Sequence, residues 1–198
     1  AMASATLVPR EPGILSGIDV FARVFEIVDP SVTLELLADD GSEFVPGQPL
    51  ARVTGAAGGV LRAERVALNL CQRMSGIATL TARYVAAVEG TSARVVDTRK
   101  TTPGLRVVER QAVRDGGGHN HRFSLSDAVL AKDNHLAVLA AQGIELGEAI
   151  RLARARLGHT TRIEVEVDRV DQIETVVAAG VDIIMLDNFT IEQLIEGV

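Results

Sequence analysis

The residues whose types could do chemistry fall between Arg94 and His135. They are Asp97-Thr98-Arg99-Lys100-Thr101-Thr102-Pro103-Gly104, then Gly116-Gly117-Gly118-His119-Asn120-His121-Arg122, then Lys132-Asp133-Asn134-His135. From Arg94 to Lys132 there are twice as many Lys and Arg as Asp and Glu, in a chain whose formal net charge is -6. Only Lys100 and Lys132 among its 20 cations are lysines, and both lie here with three of the four His. A chain that otherwise uses Arg places Lys where a compact, mobile ammonium is wanted. Arg grips carboxylates and phosphates bidentately and Lys acts on them as a point charge, so the cluster reads as a pocket for such an anion. The competing interpretation is a solvated basic face.

Two further constellations carry chemistry. Glu166 and Asp187 close two strand-like runs, and oxygen ligands from separate strands suit magnesium, which takes one or two protein carboxylates and fills its shell with substrate phosphates. The same acids could pair with Lys132 and Lys100, and the two roles are compatible. His119 and His121, two apart, could chelate a metal if extended. With no Cys nearby and Arg122 beside them, hydrogen bonding to an anion is the better reading. The glycine run 116–118 lacks the G-x-G-x-x-G spacing and follows a helix, so it is no dinucleotide fingerprint. It either lets backbone approach a ligand or serves as a plain linker.

The elements that must position these residues come in two styles. Residues 4–9 and 13–20 read as strands around the turn Glu11-Pro12-Gly13, followed by a short helix over 21–28. Apolar runs at 32–37 and 43–55 alternate with Gly and Pro. A long helix over 64–88 sets Val66, Leu70, Met74, Ile77, Leu80, Tyr84 and Val88 at spacings of three and four. Arg62, Arg65 and Arg73 near its start face an unfavourable helix dipole, so at least one should have an anionic partner.

After that helix the chain becomes repeated βα. Strand-like runs at 93–98, 127–132, 162–167 and 182–187 alternate with helical patterns at 105–114, 144–157, 169–179 and from 190 onward, the signature of a parallel sheet. Thr98-Arg99-Lys100, Lys132, Glu166 and Asp187 all fall at strand C-termini, the ligand-binding face of such sheets. Glu164, Glu166 and Asp168 alternate, which predicts one inward-facing acidic row. The expectation is an α/β chain, a small N-terminal α/β sandwich domain over residues 1–72 ending in the linking helix, then a partial α/β barrel over 73–198. Four βα units fall short of the usual eight, so further sequence is expected after Val198.

Composition bounds the class. Apolar residues make up 47% and aromatics 3%, with no Trp, so Ala, Val, Leu and Ile must build the core. No apolar run approaches the roughly 20 residues that span a bilayer, and no leader opens the chain, so a soluble cytoplasmic protein is expected. Cys71 cannot form an internal disulfide and reads as packing. The acidic balance argues against a nucleic-acid surface.

The motifs VVDTRKTTPGLR, AVRDGGGHNHRFSLSDAVLAKDNH, AERVALNLCQRMSGIATLT, EVEVD and IIMLDN closely resemble the quinolinate phosphoribosyltransferase family, also called nicotinate-nucleotide pyrophosphorylase (carboxylating), over essentially the whole chain. The resemblance implies a homodimer with shared active sites that joins quinolinate to phosphoribosyl pyrophosphate, giving nicotinate mononucleotide, pyrophosphate and carbon dioxide. It assigns the quinolinate carboxylates to Arg99, His121, Arg122 and Lys132, with Thr98 in support and Arg65 reaching in from the neighbouring subunit. It places Lys100 against the donor, and Glu166 with Asp187 on its ribose hydroxyls or on magnesium. Lys100, Lys132, Glu166 and Asp187 are the expected catalytic set. The family's helices before Ala1 and its later phosphate-binding loops have no counterpart here. Two alternatives are a molybdenum-transport-associated paralogue of the same fold and a catalytically silent anion-binding module.

Overall fold

The computed structural model describes residues 1–198, which separate into two compact units, Ala1–His121 and Arg122–Val198. In the first unit the strands β1 (Met2–Leu7), β3 (Thr33–Leu36) and β5 (Ala51–Ala56) form an antiparallel sheet in the order β1-β5-β3. The central strand β5 shows the period-2 alternation expected of a sheet with one covered face: Ala51, Val53 and Gly55 are buried while Arg52, Thr54 and Ala56 are exposed. Gly55 has no room for a side chain, because a Cβ there would lie 2.9 Å from Val32 Cγ2. Two short strands, β2 (Gly13–Ile14) and β4 (Glu43–Phe44), pair separately.

Helix α1 (Ile18–Val28) buries Ile18, Phe21 and Phe25 into a core with Leu15, Val32, Leu50 and Val53. The strand expected over 13–20 stops at Ile14, because Gly17 turns at φ 88 and α1 starts at Ile18. Asp40 Oδ1 accepts the Ile18 N–H at 2.9 Å, supplying the cap that local sequence does not. Gly17 also marks close packing, since a Cβ would sit 2.6 Å from Met74 Sδ.

The long helix α2 (Ala57–Ala87) begins seven residues before its expected start and buries a different face. Its packed stripe is Val60, Ala63, Ala67, Cys71, Met74, Ala78 and Thr81. Of the expected stripe only Met74 is fully buried; Val66 and Tyr84 are more than half exposed, at 52% and 59%. Small side chains win this face because they let neighbouring helices approach closely, and the larger apolar residues are left outside. Burial pushes the Cys71 thiol up to about 11, against a lesser opposing hydrogen bond with Ser75, which suits an inert packing residue.

Helix α3 (Arg106–Asp115) closes the first unit. The run expected as a strand at 93–98 is reduced to a single parallel bridge between Val96 and His119. The glycines that follow α3 are packing devices: a Cβ on Gly116 would fall 2.3 Å from Ala78 O, and one on Gly118 would fall 2.8 Å from Thr81 Cγ2. Gly117 turns the chain at φ 83. Neither the linker nor the ligand-approach reading of this run is needed.

The second unit is a parallel sheet, β6 (Val129–Ala131), β7 (Ile163–Val167) and β8 (Ile183–Leu186), in the order β6-β7-β8. Ile163, Val165 and Val167 are buried on one face of β7 against Ile150 of α5 (Leu146–Arg154) and Val176 of α6 (Ile173–Ala178). On the other face Glu164 is buried and Glu166 partly so, while Asp168 lies beyond the strand end and is exposed beside Arg169. The expected row of three inward acids is therefore a row of two. Helix α4 (Asp133–Ala141), not anticipated from the sequence, starts immediately after β6, and α7 (Ile191–Gly197) is capped by the Thr190 hydroxyl and Gln193. No helix is long and apolar enough to cross a membrane.

Candidate active site

In the first unit the candidate side chains hang from the irregular segment that follows the Val96 bridge, and a buried carboxylate organises it. Asp97 Oδ2 accepts from Asn120 Nδ2 at 2.6 Å, and Asp97 Oδ1 accepts the backbone N–H of His121 at 2.7 Å. Arg110, from α3, adds a charged donor 3.3 Å from the same oxygen. Both side chains of that ion pair are largely buried, at 11% and 7% exposure. Asn120 Nδ2 also donates to Arg110 O at 2.9 Å, and its Oδ1 accepts from Arg114. Arg110 Nη2 reaches the carbonyl of His121 at 2.9 Å, so His121 is held through both backbone polar groups. A buried carboxylate needs donors of this number to offset its desolvation.

The pairing of Asp97 with Arg110 and Asn120 is the supporting feature that sequence reading missed. The available signal was Asp97 at a strand terminus, but its partners come from 13 and 23 residues away.

Arg99 is half-buried, and its Nε is sealed from solvent with no hydrogen-bond partner in the chain. Leaving a donor in that state costs on the order of 1–3 kcal/mol, a penalty an anionic ligand would remove. Thr98 and Lys100 are exposed, and Thr98 Oγ1 accepts the Lys100 N–H at 3.1 Å. Arg65 stands exposed on α2. Of the three arginines expected near the start of α2, Arg62 lies 3.9 Å from Asp29 Oδ2, and Arg73 has the closer anionic partner, donating through Nε to Glu109 Oε1 at 2.7 Å. Burial alone would raise the Glu109 carboxyl, but hydrogen bonds from Arg73 and Thr102 outweigh it and hold the group below its ordinary value.

In the second unit β6 and β7 deliver Lys132 and Glu166 to one point. Lys132 Nζ donates to Glu166 Oε2 at 2.6 Å. That hydrogen bond, reinforced by the charges of Glu166, Asp187 and Asp133 against partial desolvation, raises the Lys132 ammonium above its ordinary value. Asp187 follows β8, its backbone N–H bonded to Val167 O at 2.9 Å, so the two acids are carried by paired neighbouring strands. Asn188, next to it, is the non-glycine residue with positive φ, at 58°, and its Nδ2 donates to Asp187 Oδ2 at 2.8 Å. Arg122 Nη1 donates to Ala128 O at 2.9 Å, closing the loop that Asp127 caps through the Phe123 N–H.

His135 has a local task. Its Nδ1 accepts the Lys132 N–H at 2.9 Å, which fixes the backbone from which the lysine projects and leaves the ring proton on Nε2.

No group of three or more His, Cys, Asp and Glu is arranged to hold a metal ion. Glu166 and Asp187 by themselves fit a cation held mainly by phosphate oxygens of a ligand, and do not fit an all-protein cage. A cavity of about 900 Å³ within the first unit is lined by residues such as Leu15, Phe21, Phe44, Leu68 and Cys71 and contains none of the expected site residues.

Two family models cover the chain: the quinolinate phosphoribosyl transferase N-terminal domain matches residues 1–75 and the C-terminal domain of the same family matches residues 77–198. The chain belongs to the quinolinate phosphoribosyl transferase family. Among curated relatives, a nicotinate-nucleotide pyrophosphorylase [carboxylating] of Mycobacterium leprae is 44% identical over 96% of this chain and 66% of its own length. A probable nicotinate-nucleotide pyrophosphorylase [carboxylating] of Synechocystis sp. is 41% identical over 98% of this chain and 64% of its own. The chain thus spans less than two thirds of the length of each. The crystal structure of nicotinate-nucleotide pyrophosphorylase from Ehrlichia chaffeensis superposes with a TM-score of 0.91 at 35% identity, covering 100% of this chain and 70% of that one. Within the quinolinate phosphoribosyl transferase family, then, this chain is an α/β member with an antiparallel N-terminal sheet and parallel strands towards its C-terminus.

Proposed function

We propose that the protein transfers the phosphoribosyl group of phosphoribosyl pyrophosphate to quinolinate with decarboxylation, giving nicotinate mononucleotide, pyrophosphate and carbon dioxide in NAD biosynthesis. The observation that carries this reading is the buried, unpartnered Arg99 Nε in a chain that belongs to this family. In this reading Arg99, His121, Arg122 and Lys132 bind the two carboxylates of quinolinate, Thr98 supports them, and Arg65 contributes to the site of the second subunit in a homodimer. Lys100 faces the donor.

Departure of pyrophosphate leaves an oxocarbenium-like anomeric carbon. The residues must hold the pyridine nitrogen behind that carbon, neutralise the leaving group with Lys100, and set the Glu166 and Asp187 carboxylates near the developing positive charge. Glu166 and Asp187 would also hold the ribose hydroxyls or a magnesium ion, which when bound supplies charge neutralisation to the pyrophosphate. Once the ring nitrogen is alkylated, the pyridinium stabilises the electron pair that the breaking carbon–carbon bond leaves on the adjacent ring carbon as carbon dioxide departs, and a proton from solvent then takes the vacated position, so orientation and charge stabilisation suffice.

We also propose a domain boundary near residue 72, supported by the junction of the two family models at residues 75 and 77, completion of the C-terminal domain as an α/β barrel, and a cytoplasmic location for this biosynthetic step.

The test is formation of pyridine nucleotide from quinolinate, phosphoribosyl pyrophosphate and magnesium, run with this chain and with a version extended to the length of its relatives. Product from either supports the reading, and product from neither removes it.

A further inference from the structure

Glu109 is buried in the first turn of α3, yet none of the roles above uses it. Both of its carboxylate oxygens are engaged. Oε1 accepts from Nε and Nη2 of Arg73, and Oε2 accepts the backbone N–H of Thr102 at 3.2 Å. Arg73 Nη2 also donates to the Thr102 hydroxyl. One residue of an otherwise irregular segment is thus gripped twice, through its backbone by the acid and through its side chain by the acid's counter-charge.

The segment gripped is the one that carries Arg99 and Lys100. Residues 98–105 have no helix or strand ladder, and their order comes from local bonds: Thr101 N–H to Arg99 O, Leu105 N–H to Thr102 O, and Arg106 to Thr101 Oγ1 and Arg99 O. Arg99 is also packed by its own partly buried side chain. Lys100 is not: its side chain is exposed and makes no hydrogen bond or ion pair, so its placement depends on the backbone alone. Thr102, two residues away, is where α2 and α3 fix that backbone.

We propose that Glu109 is a positioning residue for Lys100, acting through Thr102, with Arg73 as the counter-ion that keeps the buried carboxylate charged. A carboxylate is needed because three donors converge on it, and an amide offers a single acceptor oxygen and brings two donors of its own. The consequence for turnover rests on the reading that Lys100 faces the phosphoribosyl donor; the consequence for the segment's order does not.

The experiment compares the wild-type chain with Glu109→Gln and Thr102→Val. Amide hydrogen exchange should accelerate about tenfold or more over residues 100–105 in Glu109→Gln while α2 and the β1-β5-β3 sheet keep their protection. Thr102→Val, which loses the hydroxyl and keeps the backbone N–H that Glu109 accepts, should give a smaller acceleration in the same segment. In steady state, KM for phosphoribosyl pyrophosphate should rise about tenfold in Glu109→Gln, with KM for quinolinate changed less than twofold.

Unchanged exchange over 100–105 in both variants overturns the positioning role, as does faster exchange spread evenly over α2 and α3, which marks a general packing role. A selective loss of order with equal changes in both KM values overturns the link to Lys100. Should neither this chain nor its extended version form product, the reaction assigned above fails, and the exchange comparison still decides whether Glu109 orders the segment. Should Glu109→Gln fail to fold, Thr102→Val carries both readouts.

Discussion

The Asp97 cluster of the first unit and the Lys132–Glu166 pair of the second are both built from charges, and they are built for opposite purposes. Asp97 and Arg110 are nearly sealed from water, and Asp97 binds two further donors from Asn120 and the His121 backbone. Lys132 is 41% exposed and spends its charge on one carboxylate oxygen at 2.6 Å. A charge surrounded by fixed partners shapes the backbone around it. A half-open pair with a single hydrogen bond can exchange its partner for a ligand, because water and incoming anions compete for it on nearly equal terms. The difference separates a cluster that shapes its own backbone from a pair that is open to exchange with a ligand.

The largest effect that would break this contrast is on stability. Asp97→Ala leaves the Arg110 guanidinium buried without its main counter-charge and should cost about 3–5 kcal/mol, read as a lower midpoint in urea unfolding followed by circular dichroism. A loss under about 1 kcal/mol would show the cluster to be as loosely built as a surface pair. Lys132→Ala should behave oppositely. Its stability should stay within about 1 kcal/mol of wild type, while calorimetric titration shows quinolinate affinity falling by at least about 2 kcal/mol, close to thirtyfold. Arg122→Ala should follow the same pattern, and unchanged affinity in both would remove these residues from the carboxylate site.

The smallest effect sharpens the contrast through pH. The Lys132 ammonium sits above its ordinary value chiefly because Glu166 accepts its hydrogen bond. The stability this contributes is complete below the unfolded lysine value of about 10.4, and is lost as pH rises through the higher folded value. Glu166→Gln should therefore lower the pH midpoint for acetylation of Lys132, followed by peptide mass spectrometry. With only two lysines in the chain, the modified peptides are easily resolved. An unmoved midpoint would mean that Glu166 is not what holds the proton.

What was legible in the sequence was whatever depends on short-range periodicity. The parallel strands β6, β7 and β8 stand where alternating apolar runs end in polar residues, and the α/β class followed from that rhythm. The buried face of α2 was not legible, because its stripe is mostly alanine with Cys71 and Thr81, while the larger Val66, Leu80 and Tyr84 drew the periodicity to an exposed face. Helix α4 escaped because it buries no residue fully and its cap position is held by Lys132 and not by Ser, Thr or Asp. Residue types alone selected Arg99, Lys100 and Lys132. The pairing of Asp97 with Arg110 and Asn120 was missed because it exists only once the chain has folded.

Asn188 extends these consequences beyond the charged residues. Its left-handed backbone turns the chain just past Asp187 and its amide steadies that carboxylate, in a conformation that asparagine tolerates and β-branched residues resist. A valine at this position would add no charge and remove none, yet it would strain the turn and take away the amide donor that Asp187 Oδ2 accepts. Damage of that kind would look like a chemical defect while arising from the shape of a single peptide turn.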